Sequence, residues 1–208
     1  MISNQTTDKR SFREVHSIVV PLDQSNIDTD VILPKQFLKR VEKSGYGNFL
    51  FYDWRYLNND MENPNFILNK HPYRESKILL SRKNFGSGSS REHAPWSLHD
   101  FGIRVIIASS FADIFYNNCI KNGILPIRLD EHTINQLFEL TKDQPLKMIV
   151  KLETKTIEYG SYHTISFEID NYSRYMLLNG LDEIALTLKH EEKLKAFEER
   201  HKIYYSIY

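Results

Sequence analysis

The stretch NFGSGSSREHAPW occupies residues 84–96. It follows a strand-like run, KILL at residues 77–80, and precedes a helix-like segment. That is the layout of an anion-handling loop at the top of a strand. Gly86 and Gly88 flank Ser87, and Ser89, Ser90, Arg91, Glu92 and His93 follow. The glycines admit backbone angles closed to other residues, so the loop can turn tightly and aim its N–H groups at one point. The start of a following helix adds partial positive charge. Arg91 adds a full charge in a planar fork suited to a carboxylate. A serine hydroxyl in that field loses its proton more readily than in water. The stretch is read as a carboxylate site that also carries a serine base.

The same residues admit a plainer reading. Ser89 and Glu92 spell S-x-x-E, the capping box of a helix N-terminus. Pro95 weighs against it: with Ser89 as the cap, Pro95 would be the sixth helical position, where its ring meets the carbonyl four residues back. A helix beginning near His93 or Ala94 puts Pro95 in the tolerated first turn and leaves residues 89–91 in the loop. GSGSSR lacks the third glycine of a dinucleotide fingerprint, and no Gly-Lys-Ser/Thr follows as in a phosphate-binding P-loop. On pattern alone, an anion site and a simple turn with a cap both stand.

The 208 residues suffice for a single sizeable core, and the chain is expected to be one domain with a helical C-terminal segment. Lys plus Arg and Asp plus Glu number 27 each, so no net field favours nucleic acid or an anionic membrane. No apolar run approaches the roughly 20 residues of a membrane helix. The N-terminal MISNQTTDKRSFREVH has no apolar signal core, and a cytoplasmic chain is expected. The single cysteine, Cys119, excludes an internal disulfide and a self-contained zinc-thiolate or iron–sulfur site.

Outward from the loop, residues 17–22 read as a buried strand. The polar run 23–30 carries three carboxylates, in a pattern that is not an EF-hand; turns and caps are its ordinary use. Pro34 opens a predicted helix to about Val41, with Lys35, Lys39 and Arg40 on a basic side. Residues 45–56 are rich in aromatics, a packing signal first and a ligand box second. Residues 57–75 form a long irregular connection. Then come a helix ending at Gly102, a strand at 104–109, a helix at 111–122 capped by Ser110, and a strand at 124–129. A helix capped by Asp130 extends to Thr141. Strands at 147–152, 156–159 and 164–169 precede a helix at 171–179 that stops at Gly180, and Asp182 caps a last helix to about Arg200. The alternation in the middle predicts an α/β fold with a mixed, largely parallel sheet flanked by helices.

NFGSGSSREHAPW together with FADIFYNNCIKNGILPI (111–127) resembles the small subunit of 3-isopropylmalate dehydratase, the swivel-domain half of the aconitase superfamily. VPLDQSNIDTDVILPKQFLK (20–39), FYDWRYL (51–57) and NGLDEIALTLKHEE (179–192) resemble it as well, so the likeness covers nearly the whole chain. It implies a swivelling β/β/α fold and an enzyme of two chains. The large subunit would carry a [4Fe-4S] cluster, with no cofactor bound by this chain, and a small hydroxy-dicarboxylate would be the substrate. By the same resemblance Ser89 is the base and Arg91 grips a substrate carboxylate. Ser90 lines the site, Gly86, Ser87 and Gly88 supply loop backbone, and Asp30 matches an active-site aspartate. A superfamily arginine falls near Arg40 without a fixed spacing. Ser87 stands where relatives often have cysteine. The implied reaction interconverts 2-isopropylmalate and 3-isopropylmalate through 2-isopropylmaleate. A sister hydro-lyase, a carboxylate-binding module and a structural partner remain as alternatives. Val31, Ile32 and Leu33 would suit an isopropyl group, or equally the core.

Overall fold

Residues 78–80 and 105–108 are apolar without alternation, which is what a strand covered on both faces requires. The computed structural model describes residues 11–39, 44–58 and 61–181. Its strands are β1 (Glu14–Leu22), β2 (Ile78–Ser81), β3 (Val105–Ala108), β4 (Leu125–Arg128), β5 (Lys147–Lys151), β6 (Thr156–Tyr159) and β7 (His163–Ser166). Its helices are α1 (Thr29–Ile32), α2 (Tyr52–Arg55), α3 (His93–Phe101), α4 (Asp113–Lys121), α5 (Glu131–Asp143) and α6 (Asn171–Asn179). The strands form one mixed sheet in the order β4-β3-β2-β1-β5-β6-β7. β1 to β4 pair in parallel, and β1 also pairs antiparallel with β5, from which β6 and β7 continue antiparallel. Among the described residues β4 pairs with β3 alone, and there Pro126 is tolerated despite its missing donor.

The two faces carry separate cores. Val19, Ile78, Leu80, Val105 and Ile107 pack with Ile134, Leu137 and Phe138 of α5 and Met176 and Leu177 of α6. Val20, Leu79, Ile106 and Ala108 pack with Leu98 of α3, Phe115 and Cys119 of α4, and Ile32, Leu50 and Phe51 from the long β1–β2 connection. That connection holds α1, α2 and several short 3-10 turns. A buried arginine ties it together. Arg55 donates to the Gly47 carbonyl at 3.2 Å and to Asn69 Oδ1 at 3.2 Å, while Asn69 Nδ2 donates back to the Arg55 carbonyl at 2.6 Å. Its guanidinium carbon lies 4.8 Å from the Phe101 ring centroid, a cation–π contact, and burial lowers its pKa from the ordinary value. Gly47 donates to Asp100 Oδ2 at 2.8 Å, and a Cβ there would stand 2.6 Å from the Phe101 backbone nitrogen. This stretch therefore packs backbone to backbone on the end of α3.

α5 is capped by Asp130, whose side chain accepts the Thr133 N–H, and buries Ile134, Leu137, Phe138 and Thr141, all as its pattern predicts. Three expectations are corrected. The helix predicted from Pro34 is replaced by α1, capped by Asp28, and by a 3-10 turn over Lys35–Lys39; residues 40–43 lie outside the described residues. Asp28 Oδ1 accepts the N–H groups of Asp30 and Val31 at 2.8 Å, which starts the helical turn five residues earlier. α4 starts at Asp113 rather than Phe111, because the Ser110 hydroxyl accepts the Asn84 N–H at 2.8 Å and Phe111 bridges to Phe85. The last strand is shorter than predicted, ending at Ser166. The helix expected from Asp182 lies outside the described residues.

Candidate active site

The parallel pairing of β1 and β2 does not stop at the edge of the sheet. Beyond Leu22 and Ser81 the two chains stay side by side. Asn26 donates to the Lys83 carbonyl at 2.9 Å, Gly86 to Ile27 at 2.7 Å and Thr29 to Ser87 at 2.9 Å. The run 23–30 and the run 82–91 thus form one shelf, closed on its far side by the Phe85–Phe111 bridge. Gly86 is necessary on two counts. Its φ is +75°, and a Cβ would lie 2.1 Å from the Phe115 ring. Gly88, at φ +95°, would place a Cβ 3.3 Å from Thr29 Oγ1.

The shelf presents its serines outward. Ser89 and Ser90 are exposed. The Ser89 backbone N–H donates to Thr29 Oγ1 at 3.1 Å, and the Ser90 carbonyl accepts from Asn118 Nδ2 at 3.1 Å. The Ser89 N–H is therefore a tether and not one of the anion-facing donors that the glycine pattern suggested. Thr29 is 2% and Asn118 8% exposed, so both anchors are rooted in the protein. α3 begins at His93 with Glu92 as its cap residue, and no side chain caps it. The S-x-x-E capping box does not form, and residues 89–91 stay in the loop as Pro95 required.

Arg91 points along the shelf to Asp30, which pairs with it through Oδ1. Lys35 reaches the other oxygen of the same carboxylate, Nζ to Oδ2 at 3.1 Å. The Arg91 side chain is 18% exposed and that of Lys35 73%. The structure thus brings together Ser89, Ser90, Arg91 and Asp30, on the backbone of Gly86, Ser87 and Gly88. It adds Thr29, Asn118 and Lys35, which the sequence reading passed over. The three carboxylates of run 23–30 have separate tasks: Asp23 pairs with Arg82, Asp28 caps α1, and Asp30 faces Arg91. Ile32 and Leu33 are core at 0% and 1% exposure, and of the three apolar neighbours only Val31 is partly open.

His93 closes the inner end. Its ring lies 5.6 Å from Tyr46 and 4.6 Å from Trp96, and its Nδ1 is shielded without a hydrogen-bond partner among the described residues. Burial, and next the Arg91 charge, lower its pKa, so the ring favours the neutral form.

A metal cluster would need several soft or anionic donors. Cys119 is fully buried, with its thiol pushed well upward by burial. Among the described residues no three His, Cys, Asp or Glu side chains are grouped to hold a metal ion. The described residues offer no donor set that fits such a group. The site is also not a closed cavity. A depression of about 720 Å³ on the molecule is lined by residues such as Lys147, Glu158 and Tyr162 at the antiparallel end, and none of the shelf residues contributes to it. No helix among the described residues is long and apolar enough to cross a membrane.

Residues 9–132 match the family described as the aconitase C-terminal domain, and residues 183–203 match the C-terminal domain of the 3-isopropylmalate dehydratase small subunit. A 3-isopropylmalate dehydratase small subunit of Brevibacillus brevis is 53% identical over 184 residues, 88% of this chain and 95% of its own. One of Rhodopirellula baltica is 52% identical over 192 residues, covering 91% and 98%. One of Neisseria gonorrhoeae is 49% identical over 203 residues, covering 93% and 95%. A crystal structure of a 3-isopropylmalate dehydratase of Methanocaldococcus jannaschii shares the fold, with a TM-score of 0.62 at 23% identity over 90% of this chain and 98% of that one. The shelf with its serine–arginine loop, the mixed sheet beneath it and about half of all residues in common place this chain in the family of 3-isopropylmalate dehydratase small subunits, within the aconitase C-terminal domain fold.

Proposed function

We propose that this chain is one half of a hydro-lyase that interconverts 2-isopropylmalate and 3-isopropylmalate, through 2-isopropylmaleate, in leucine biosynthesis. The observation that carries this reading is the extent of identity with small subunits of that name, over nearly the full length of both chains. The open shelf supports it: Ser89 is exposed while the backbone on either side of it is held, as suits a half-site completed by a second chain. That second chain is the large subunit. The cluster chemistry is assigned to it.

The steps assigned to this chain are few. Ser89 Oγ, as alkoxide, takes the proton from the carbon next to the hydroxyl-bearing one. The C–H electron pair becomes the carbon–carbon double bond as the hydroxyl leaves with its own bonding pair, to be protonated to water. On readdition Ser89 returns its proton to the other carbon of the double bond, and water adds where the first proton was lost. Arg91 holds the carboxylate beside the reacting carbon, and its charge stabilises the negative charge that develops there. Asp30 fixes the guanidinium, and Ser90 lines the seat. Thr29 and Asn118 hold the loop so that the hydroxyl meets the C–H bond without reorganisation.

The test is co-purification with a large subunit under anaerobic conditions, followed by absorbance of the conjugated double bond of 2-isopropylmaleate. Activity is expected only with both chains and is expected to vanish in Ser89→Ala with assembly intact. An inactive assembly on isopropylmalate that turns over citramalate or homocitrate would keep the chemistry and change the substrate.

A further inference from the structure

Asp30 is a carboxylate, and it already occupies the fork of Arg91. An Arg–Asp pair alone is a neutral, closed unit with little attraction for an incoming anion. Lys35 changes this. Its ammonium lies 3.1 Å from the second Asp30 oxygen, at the start of the 3-10 turn that follows Pro34. Two cations then share one anion, so the Arg91–Asp30–Lys35 group carries one net positive charge. The two cations differ in setting. Arg91 is mostly enclosed, whereas Lys35 stands largely in solvent, where a flexible stem lets the ammonium swing to a new partner.

We propose that Lys35 is the second cation of the carboxylate seat. Asp30 holds Arg91 and Lys35 a carboxylate's width apart, and the arriving substrate carboxylate joins them. Lys35 swings from Asp30 Oδ2 to the substrate, and Arg91 keeps its bond to Oδ1 while its remaining N–H groups take the new anion. This rests on the dicarboxylate reading above and adds a residue to it. Phe37 of the same turn stacks on Phe49 at 4.1 Å and fixes the turn against the 44–56 segment.

The experiment uses the complex with the large subunit and 2-isopropylmalate. Lys35→Met is expected to raise KM tenfold or more while kcat changes less than threefold, and Lys35→Arg is expected to recover most of the loss. A merely structural lysine would not give this split with rescue by charge. Unchanged KM in Lys35→Met, or a loss of kcat alone, overturns the proposal. A wild-type complex with no isomerase activity would instead count against the proposed reaction. In that case calorimetry with succinate, a plain dicarboxylate, decides the seat by itself. Binding to wild type that is lost in Lys35→Met and restored in Lys35→Arg supports it, and equal binding or no binding to wild type overturns it.

Discussion

Thr29 Oγ1 accepts the backbone N–H of Ser89 at 3.1 Å, a bond between residues 60 positions apart that ties the tip of one loop to the first residue of α1. Thr29 is itself buried, and its own N–H donates to the Ser87 carbonyl. The hydroxyl thus sets where Ser89 stands. Thr29→Val keeps the shape and removes the acceptor. A displacement of about 1 Å at a reacting group can cost on the order of 100-fold in rate. We expect Thr29→Val to lower kcat of the assembled enzyme by about 10- to 100-fold on that ground, with Thr29→Ser close to wild type. Steady-state kinetics of both variants check this; equal kcat in all three would mean that Ser89 is held by other contacts.

Gly86 tests the backbone beneath the shelf. A Cβ there meets the Phe115 ring at 2.1 Å, and the left-handed φ is strained for any L side chain. Gly86→Ala is expected to lose about 2–4 kcal/mol, the range of combined overpacking and backbone strain. The urea midpoint reads the loss. Adding Phe115→Ala should recover only the steric share relative to Phe115→Ala alone, since about 1 kcal/mol or more of the left-handed penalty remains.

Arg55 offers a prediction about the long connection. It is 6% exposed and supplies donors to the Gly47 carbonyl and to Asn69. Arg55→Met removes a charged donor from the Gly47 carbonyl, which keeps the Leu50 N–H at 3.3 Å, and from the half-buried Asn69, at a cost of about 1.5–3 kcal/mol for each lost bond. Arg55→Lys should rescue little, because an ammonium cannot reproduce the planar fork between Gly47 and Asn69. Urea unfolding of the two variants checks this, and full rescue by lysine would assign the effect to charge alone.

How much of this was legible in the sequence follows from where each interaction lies along the chain. Pro95 excluded a helix start at Ser89 by a local clash, and α3 begins at His93 accordingly. Asp130 and the face of Ile134, Leu137, Phe138 and Thr141 are likewise local, and α5 follows them. The Ser89–Thr29, Ser90–Asn118 and Asp30–Lys35 contacts were not legible. A threonine, an asparagine and a lysine have many ordinary uses, and nothing in their neighbourhoods marks a partner in another segment. Ser110 misled for the same reason: its hydroxyl serves the Asn84 N–H across the shelf, and so the cap position passed to Ala112. Asp28 hid among three nearby carboxylates, any of which would cap a turn.

His93 carries the pH dependence that the site predicts. Its ring lies against Tyr46 and Trp96, with Arg91 and Glu92 as the charges acting on it, and its Nδ1 is the shielded atom. Burial first and Arg91 second lower its pKa below the ordinary value of about 6.5, and Glu92 opposes them weakly. The unfolded chain therefore binds the proton more readily than the folded one. By linkage, stability rises with pH wherever the unfolded state holds more protons. The His93 contribution is present above about 6.5 and is lost as pH falls from there toward the folded value. His93→Phe keeps a ring between Tyr46 and Trp96 and removes the titration. We expect the urea midpoint of wild type to fall between pH 7 and pH 5.5 more steeply than that of His93→Phe, with Trp96 fluorescence reporting the same transition. An equally steep fall in both proteins would assign the slope to other groups.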